Sequence, residues 1–254
     1  MSPESIPIIQ VEDVTVKYED TLVLSNVSFE VCRGEIFAVL GGSGCGKSTL
    51  MRQMIGLETP TTGRVLIDGH NIVTASGRER HNILKQIGVL YQSGALFGSM
   101  TLMENISLPL EEFTGLPPEA IVLIARMKLH LVGLSGYEDY LPSEISGGMR
   151  KRAAIARAMA LDPNVLFLDE LSAGLDPITS ADLDQLLLNL ARTLKITFVI
   201  VTHELPSIFT VADRVIMLDK RTKGIVAAGR PADLRDNSDN LWVRQFFRRE
   251  ASIS

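Results

Sequence analysis

Apolar and polar residues alternate near the start of the chain. Val11, Val14 and Val16 lead to Tyr18, and Val27-Ser-Phe-Glu-Val31 keeps the period of two expected of a half-buried strand. The pattern changes at Ile36-Phe-Ala-Val-Leu40, a short apolar run that predicts a strand covered on both faces. A glycine cluster follows, and then Leu50, Met51, Met54 and Ile55 at helical spacing. Pro117 and Pro118 open a segment with Ile121, Leu123, Ile124, Met127, Leu129 and Leu131. Proline at a helix start and this apolar spacing predict helices, and the region from about 95 to 160 is expected to form a mostly helical subdomain. Val165-Leu-Phe-Leu168, Phe198-Val-Ile-Val201 and Val215-Ile-Met-Leu218 predict further buried strands, while Leu183, Leu186, Leu187, Leu190 and Leu194 form a helical face. This order implies an α/β fold: a mixed, mainly parallel sheet with helices on both faces, an antiparallel β region and the helical subdomain.

Composition narrows the class. Of 254 residues, 46% are hydrophobic and 22% charged, enough to bury a core and unlike a disordered chain. With 25 basic and 30 acidic residues the net charge is -5, which disfavours a general nucleic-acid binder. Cys32 and Cys45 are too few for a secreted disulfide scaffold, so a reducing, cytoplasmic setting is expected. Met1 to Gln10 carry Glu4 and two prolines and lack a basic stretch, so no signal peptide is expected. The uncharged stretch from Gln86 to Met103 contains Gln92, Ser93, Gly94, Gly98, Ser99 and Thr101, which argues against a bilayer helix and for a soluble chain.

The chemistry is concentrated in three places. Gly41, Gly42, Ser43, Gly44, Cys45, Gly46, Lys47, Ser48 and Thr49 follow a predicted strand, open a predicted helix and satisfy G-x-x-x-x-G-K-[ST]. Glycines let backbone N–H groups turn inward around a phosphate, and the helix N-terminus adds positive potential. Lys47 is expected to reach the β- and γ-phosphates, and the Ser48 hydroxyl to bind Mg²⁺. Cys45 reads as a small filler, although its oxidation could block the loop. Asp169 ends the strand Val165 to Leu168, where a carboxylate can hold Mg²⁺ through water, and Glu170 is placed to act as general base on an attacking water. Ser146, Gly147 and Gly148 precede the helical run Lys151 to Leu161. A serine N-cap followed by two glycines exposes backbone amides, and a phosphate would suit them.

With these motifs in this order, nearly the whole chain resembles the ATP-binding subunit of ABC transporters. The resemblance implies a P-loop ATPase of the ABC type over residues 1–240, using ATP and Mg²⁺. It makes Tyr18 the aromatic that stacks on adenine, and Gln92 the glutamine that touches Mg²⁺ and the attacking water and links the site to a membrane partner. Ser146 to Met149 match its signature motif, with Ile145 and Met149 where Leu and Gln are commoner. Ser172-Ala-Gly-Leu-Asp176 matches the D-loop, whose Asp176 joins the nucleotide site, and His203 matches the switch histidine that contacts the γ-phosphate. Leu171 stands where a proline often follows the catalytic Glu. In this family the phosphate loop of one subunit and the signature helix of another enclose each ATP. This chain carries each motif once, so the resemblance implies a dimer with a second copy or a related subunit.

A closer resemblance is to the ATPases of bacterial Mla/MCE-type phospholipid transporters, carried by Gln92-Ser-Gly-Ala-Leu-Phe97, Met103-Glu-Asn105, Leu108-Pro-Leu110, Met149-Arg-Lys-Arg152 and Asp176-Pro-Ile-Thr179. It implies a peripheral position on the cytoplasmic face of the inner membrane through an integral-membrane permease. It further implies an MCE-domain lipid-binding protein and a small STAS-domain subunit as partners, and no nucleic acid. Residues 241–254 form a tail in which Arg244, Arg248 and Arg249 interleave with Trp242, Phe246 and Phe247. It reads either as a plain amphipathic helix or as a docking element for another chain. Other ABC ATPase classes fit less well. Nothing between Lys47 and Ser146 has heptads for a coiled coil, there is one nucleotide domain, and Lys47, Glu170 and His203 are all present.

Overall fold

The computed structural model describes residues 7–92 and 94–250. The first six residues, Ser93 and the last four residues of the tail lie outside the described residues. The chain opens with two long strands, β1 (Pro7–Tyr18) and β2 (Thr21–Cys32), then β3 (Ile36–Gly41) and helix α1 (Lys47–Met54). β4 (Thr62–Ile67), β5 (His70–Asn71), α2 (Gly77–Lys85) and β6 (Ile87–Leu90) follow. Helices α3 (Leu102–Phe113), α4 (Pro118–Leu131) and α5 (Gly147–Ala158) come next. The chain then alternates β7 (Val165–Asp169), α6 (Pro177–Leu194), β8 (Thr197–Val201), α7 (Leu205–Val211) and β9 (Arg214–Leu218). It ends with β10 (Ile225–Gly229), α8 (Pro231–Asn237) and α9 (Leu241–Arg248).

The apolar runs build a six-stranded sheet in the order β10-β9-β3-β8-β7-β6, parallel except for the antiparallel edge pair β9–β10. All six residues of β3 are buried, as a strand covered on both faces requires. β2, β1, β4 and β5 form a separate antiparallel sheet in that order. Both predicted β regions are therefore present, and helices lie on both faces of the six-stranded sheet, one face being shared with the antiparallel sheet. One face, with Ala38, Leu40, Leu166, Leu168 and Phe198, packs against α3 to α7 and α9. The other, with Phe37, Val39, Phe167, Val199 and Val201, packs against the antiparallel sheet together with α1. Phe29 of β2 stacks on Phe37 of β3, with ring centroids 5.3 Å apart and planes 6° from parallel. A twisted antiparallel sheet with one apolar face buries that face as well as a helix does.

Three helices between β6 and β7 occupy the stretch expected to be helical, although its first residues, before Leu102, form a loop. A capping box starts α3: Thr101 Oγ1 accepts from the Glu104 amide at 3.2 Å, and the Glu104 carboxylate accepts from the Thr101 amide at 2.7 Å. In the tail, α9 lies on α8, with Val243 and Phe247 in the main core. Burying side chains of this size contributes roughly 1.5–3 kcal/mol each, enough to hold the helix to its own chain. Leu241 at its start remains exposed.

Candidate functional site

The parallel strands bring the candidate residues to one edge. Gly41 pairs with Leu218, Leu90 with Leu168 and Asp169 with Val201. The glycine loop, Gln92, Asp169–Glu170 and Thr202–His203 therefore all leave the sheet at the C-terminal ends of neighbouring strands. Ligands of open α/β sheets bind there.

The loop from Gly41 to Gly46 runs straight from β3 into α1, with Ser43, Gly44 and Ser48 exposed. Gly41 has φ 146°, and a Cβ there would lie 2.4 Å from the Leu218 carbonyl oxygen. Only glycine lets the chain turn off β3 so close to β9. Lys47 Nζ donates to the carbonyls of Gly41 at 2.9 Å and Gly42 at 3.1 Å, so the ammonium lies folded over its own loop. Cys45 is buried and packs in the core beneath the loop, which fits the filler reading and keeps its thiol from the surface. Burial pushes that thiol's pKa up, against the opposing pull of Lys47.

Asp169 is half-buried at the end of β7. Burial, and then the neighbouring Glu170 charge, raise its pKa, while Lys47, Arg52 and Lys151 pull it down. Glu170 has the left-handed backbone value φ 49°, and its amide donates to the Val201 carbonyl at 2.8 Å. That turn aims the carboxylate at the next loop. Oε1 lies 2.8 Å from His203 Nδ1, and Oε2 accepts from Thr202 Oγ1 at 3.3 Å. The His203 ring is otherwise exposed. Tyr18, at the end of β1, is exposed and donates its hydroxyl to Glu58. Burial of that hydroxyl and the Glu58 bond raise its pKa, and Thr49 and Arg52 of α1 pull it down, which places the ring beside the loop's helix.

Ser146, Gly147, Gly148 and Asp176 form a second group. Ser146 caps α5, its Oγ accepting from the Met149 amide at 3.3 Å. Sequence reasoning left both glycines open to a phosphate, and for Gly148 the structure adds a packing reason for glycine. Gly148 is buried, and a Cβ there would lie 2.4 Å from Thr179 Cγ2 of α6. The close approach it permits comes from the chain's own helix. Exposed Ser146 and half-buried Gly147 remain open to a ligand. The Asp176 carboxylate is likewise engaged within the chain as the N-cap of α6, accepting from the amides of Ile178 and Thr179 at 3.0 Å and from Thr179 Oγ1 at 2.6 Å. Its backbone carbonyl accepts from the Ser180 amide at 3.0 Å, and the residue is exposed. Leu171 is buried in the core, so a packing residue stands where the resemblance expects proline.

Sequence reasoning missed the residues that hold the Gln92 segment. Lys151 Nζ donates to the Gln92 carbonyl at 2.6 Å. Arg157 Nη1 donates to the Ala95 carbonyl at 2.7 Å, and the guanidinium lies 5.0 Å from the Phe97 ring centroid. Asn105, buried on α3, accepts from the Phe97 amide at 2.8 Å and donates to the carbonyls of Phe97, Met100 and Thr101. The spacing of Lys151 and Arg157 along one helical face was the available signal.

The sequence profile of the family described as ABC transporter matches residues 24–173, more than half of the chain. The chain belongs to the ABC transporter family. It is an ATP-binding, ATP-hydrolysing subunit of that family. Among relatives, the probable ribonucleotide transport ATP-binding protein mkl of Mycobacterium leprae is 42% identical over 94% of this chain and 68% of its own length. The intermembrane phospholipid transport system ATP-binding protein MlaF of Escherichia coli K12 is 40% identical over 94% of this chain and 88% of its own. Among solved structures, cbiO1 of Clostridium perfringens, part of the ABC transporter complex cbiONQ, superposes with a TM-score of 0.84 at 30% identity, covering 93% of both chains. A dimeric ATP-binding cassette in a post-hydrolysis state with ADP and Pi superposes with a TM-score of 0.78 at 29% identity, covering 87% of this chain and 98% of its own. Among the described residues of this ABC subunit, no helix is long and apolar enough to cross a membrane.

Proposed function

We propose that this ABC ATPase drives a bacterial transporter that moves phospholipid between the inner and outer membranes and so maintains outer-membrane lipid asymmetry. The observation that carries the substrate is the 40% identity to MlaF over 94% of the chain, together with the strapped Gln92 segment through which such a subunit would meet its permease. The subunit works from the cytoplasmic face of the inner membrane, held there by the permease. An MCE-domain lipid-binding protein and a small STAS-domain subunit complete the assembly. The exposed end of α9 is the docking element for a neighbouring subunit.

In this reading Lys47 releases the Gly41 and Gly42 carbonyls and pairs with the β- and γ-phosphates of ATP. The amides from Gly42 to Thr49 wrap the phosphates, and Tyr18 offers its ring to adenine. Ser48, Asp169 and Gln92 offer hydroxyl, carboxylate and amide oxygens. These are hard oxygen donors, and a set of one carboxylate with neutral oxygens fits Mg²⁺ that also takes phosphate oxygens and waters. Bound there, Mg²⁺ would neutralise charge on the β- and γ-phosphate oxygens. Glu170 takes a proton from the attacking water, while His203, bonded to its carboxylate through Nδ1, offers Nε2 to the γ-phosphate. Ser146 and the Gly147 amide face the ATP held by a second copy, so two copies close around two nucleotides and part after hydrolysis.

The mkl relative gives a second substrate reading, ribonucleotide transport, at 42% identity. Affinity purification from native membranes in mild detergent, with mass spectrometry of proteins and lipids, separates the two. A permease, an MCE-domain protein and bound phospholipid are expected. A permease with a binding protein for polar solutes would keep the motor and overturn the lipid.

A further inference from the structure

The helix that starts at the signature motif also reaches back into its own subunit's site. α5 carries Lys151, Ala154 and Arg157 at spacings of three, on one face. All three meet the loop after β6. Lys151 holds the Gln92 carbonyl, a Cβ at Gly94 would lie 3.7 Å from Ala154 Cβ, and Arg157 holds Ala95 and lies over Phe97. Lys151 differs from Arg157 in one respect. Lys151 is half-buried, and its ammonium feels the charges of Asp169 and Glu170 of the same site.

Resting on the assignment of Glu170 and Gln92 above, we propose that Lys151 is a positioning residue for ATP hydrolysis. Its Nζ bond to the Gln92 carbonyl fixes where the Gln92 amide stands relative to Glu170. The bond restrains the start of the loop, where Tyr91 and Gln92 are both exposed beyond the end of β6 and precede the Arg157 and Asn105 anchors at Ala95 and Phe97. Lys151 touches no reacting atom in this role. A displacement of about 1 Å in a positioned group is enough to cost up to ~10²-fold in rate. The same helix opens with the residues that face a second copy's ATP. Lys151 thus ties the geometry of one site to the helix that serves the other.

The test uses the full chain with Lys151→Met, which keeps the alkyl stem and removes the donor, and Lys151→Arg, which keeps a donor. Steady-state ATPase, equilibrium ATP binding and amide hydrogen exchange of the Gly94–Phe97 segment are measured on each. The expected result for Lys151→Met is a fall in kcat of about tenfold or more with ATP affinity within about twofold, together with faster exchange of the segment. Lys151→Arg is expected to restore most of both. Unchanged kcat in Lys151→Met would overturn the proposal. So would a loss carried by ATP affinity, or a kcat loss with unaltered exchange that arginine does not rescue. Glu170→Gln is run alongside: normal turnover there would overturn the site assignment itself, whereas an inactive Glu170→Gln with a fully active Lys151→Met would overturn the role of Lys151 alone.

Discussion

Glu170 Oε1 and His203 Nδ1 lie 2.8 Å apart, so the residue placed to activate water is held by the residue placed to contact the γ-phosphate. The bond uses one ring nitrogen and one lone pair, so His203 Nε2 and the remaining lone pairs of the Glu170 carboxylate, whose Oε2 also accepts from Thr202, stay available to a phosphate and a water. Glu170→Gln is expected to bind ATP as the parent does and to lose about 10²- to 10⁴-fold in turnover, the range a general base supplies. The accumulated ATP-bound species should run as a dimer in size-exclusion chromatography. Turnover near the parent rate would remove Glu170 from the role of base.

Lys47 spends two of its three donors on the loop carbonyls of Gly41 and Gly42 until a phosphate replaces them. Lys47→Ala removes a charge-assisted bond to phosphate worth roughly 1.5–3 kcal/mol. ATP affinity is expected to fall by about 10- to 100-fold. Equilibrium binding of a fluorescent ATP analogue reads this directly, and unchanged affinity would count against the loop as the phosphate site.

The core of the fold was legible because its signals are periodic and local. Ile36–Leu40, Val165–Leu168 and Phe198–Val201 are continuous apolar runs, and each became a buried strand. The phosphate loop was legible because glycine spacing and a following helix occur together. Short or weakly patterned elements escaped notice: Ile87–Leu90 lies inside the uncharged stretch, and Thr62–Ile67 begins with three exposed residues. Packing partners were not legible either. Alternation in β2 marks one buried face but cannot say that Phe29 meets Phe37 of the other sheet. Gly148 called for a close neighbour, and its pattern could not tell Thr179 from a phosphate. The partners of Lys151 and Arg157 were not legible because they are backbone carbonyls, which carry no sequence signature.

Gly148 is a test of that packing. Its substitution by alanine places a methyl 2.4 Å from Thr179 Cγ2, so α5 and α6 must separate or a side chain must leave its rotamer. Overpacking of this kind costs about 1–3 kcal/mol. Thr179→Ser removes the opposing methyl while keeping the hydroxyl that bonds Asp176. The pair Gly148→Ala and Thr179→Ser should therefore recover much of the stability lost by Gly148→Ala alone. Denaturant unfolding of the four proteins in the cycle measures it. Additive effects would mean that the two residues do not meet.

Asp176 predicts a dependence on pH with a definite sign. The hydroxyl of Thr179, then its amide, and the amide of Ile178 hold the Asp176 carboxylate below the usual range for aspartate. A lowered folded-state pKa means that the unfolded chain takes up the proton first as pH falls. The carboxylate's stabilising contribution is thus complete above the ordinary aspartate pKa, near about 4, and is lost as pH drops through the lowered folded value. Asp176→Ala should lower the melting temperature at pH 7, and the gap from the parent should narrow as the buffer is taken below pH ~4. Other carboxylates titrate in both proteins, so the difference between the two curves isolates this one. A gap that stays constant or widens on acidification would show that the cap is held by geometry and not by charge.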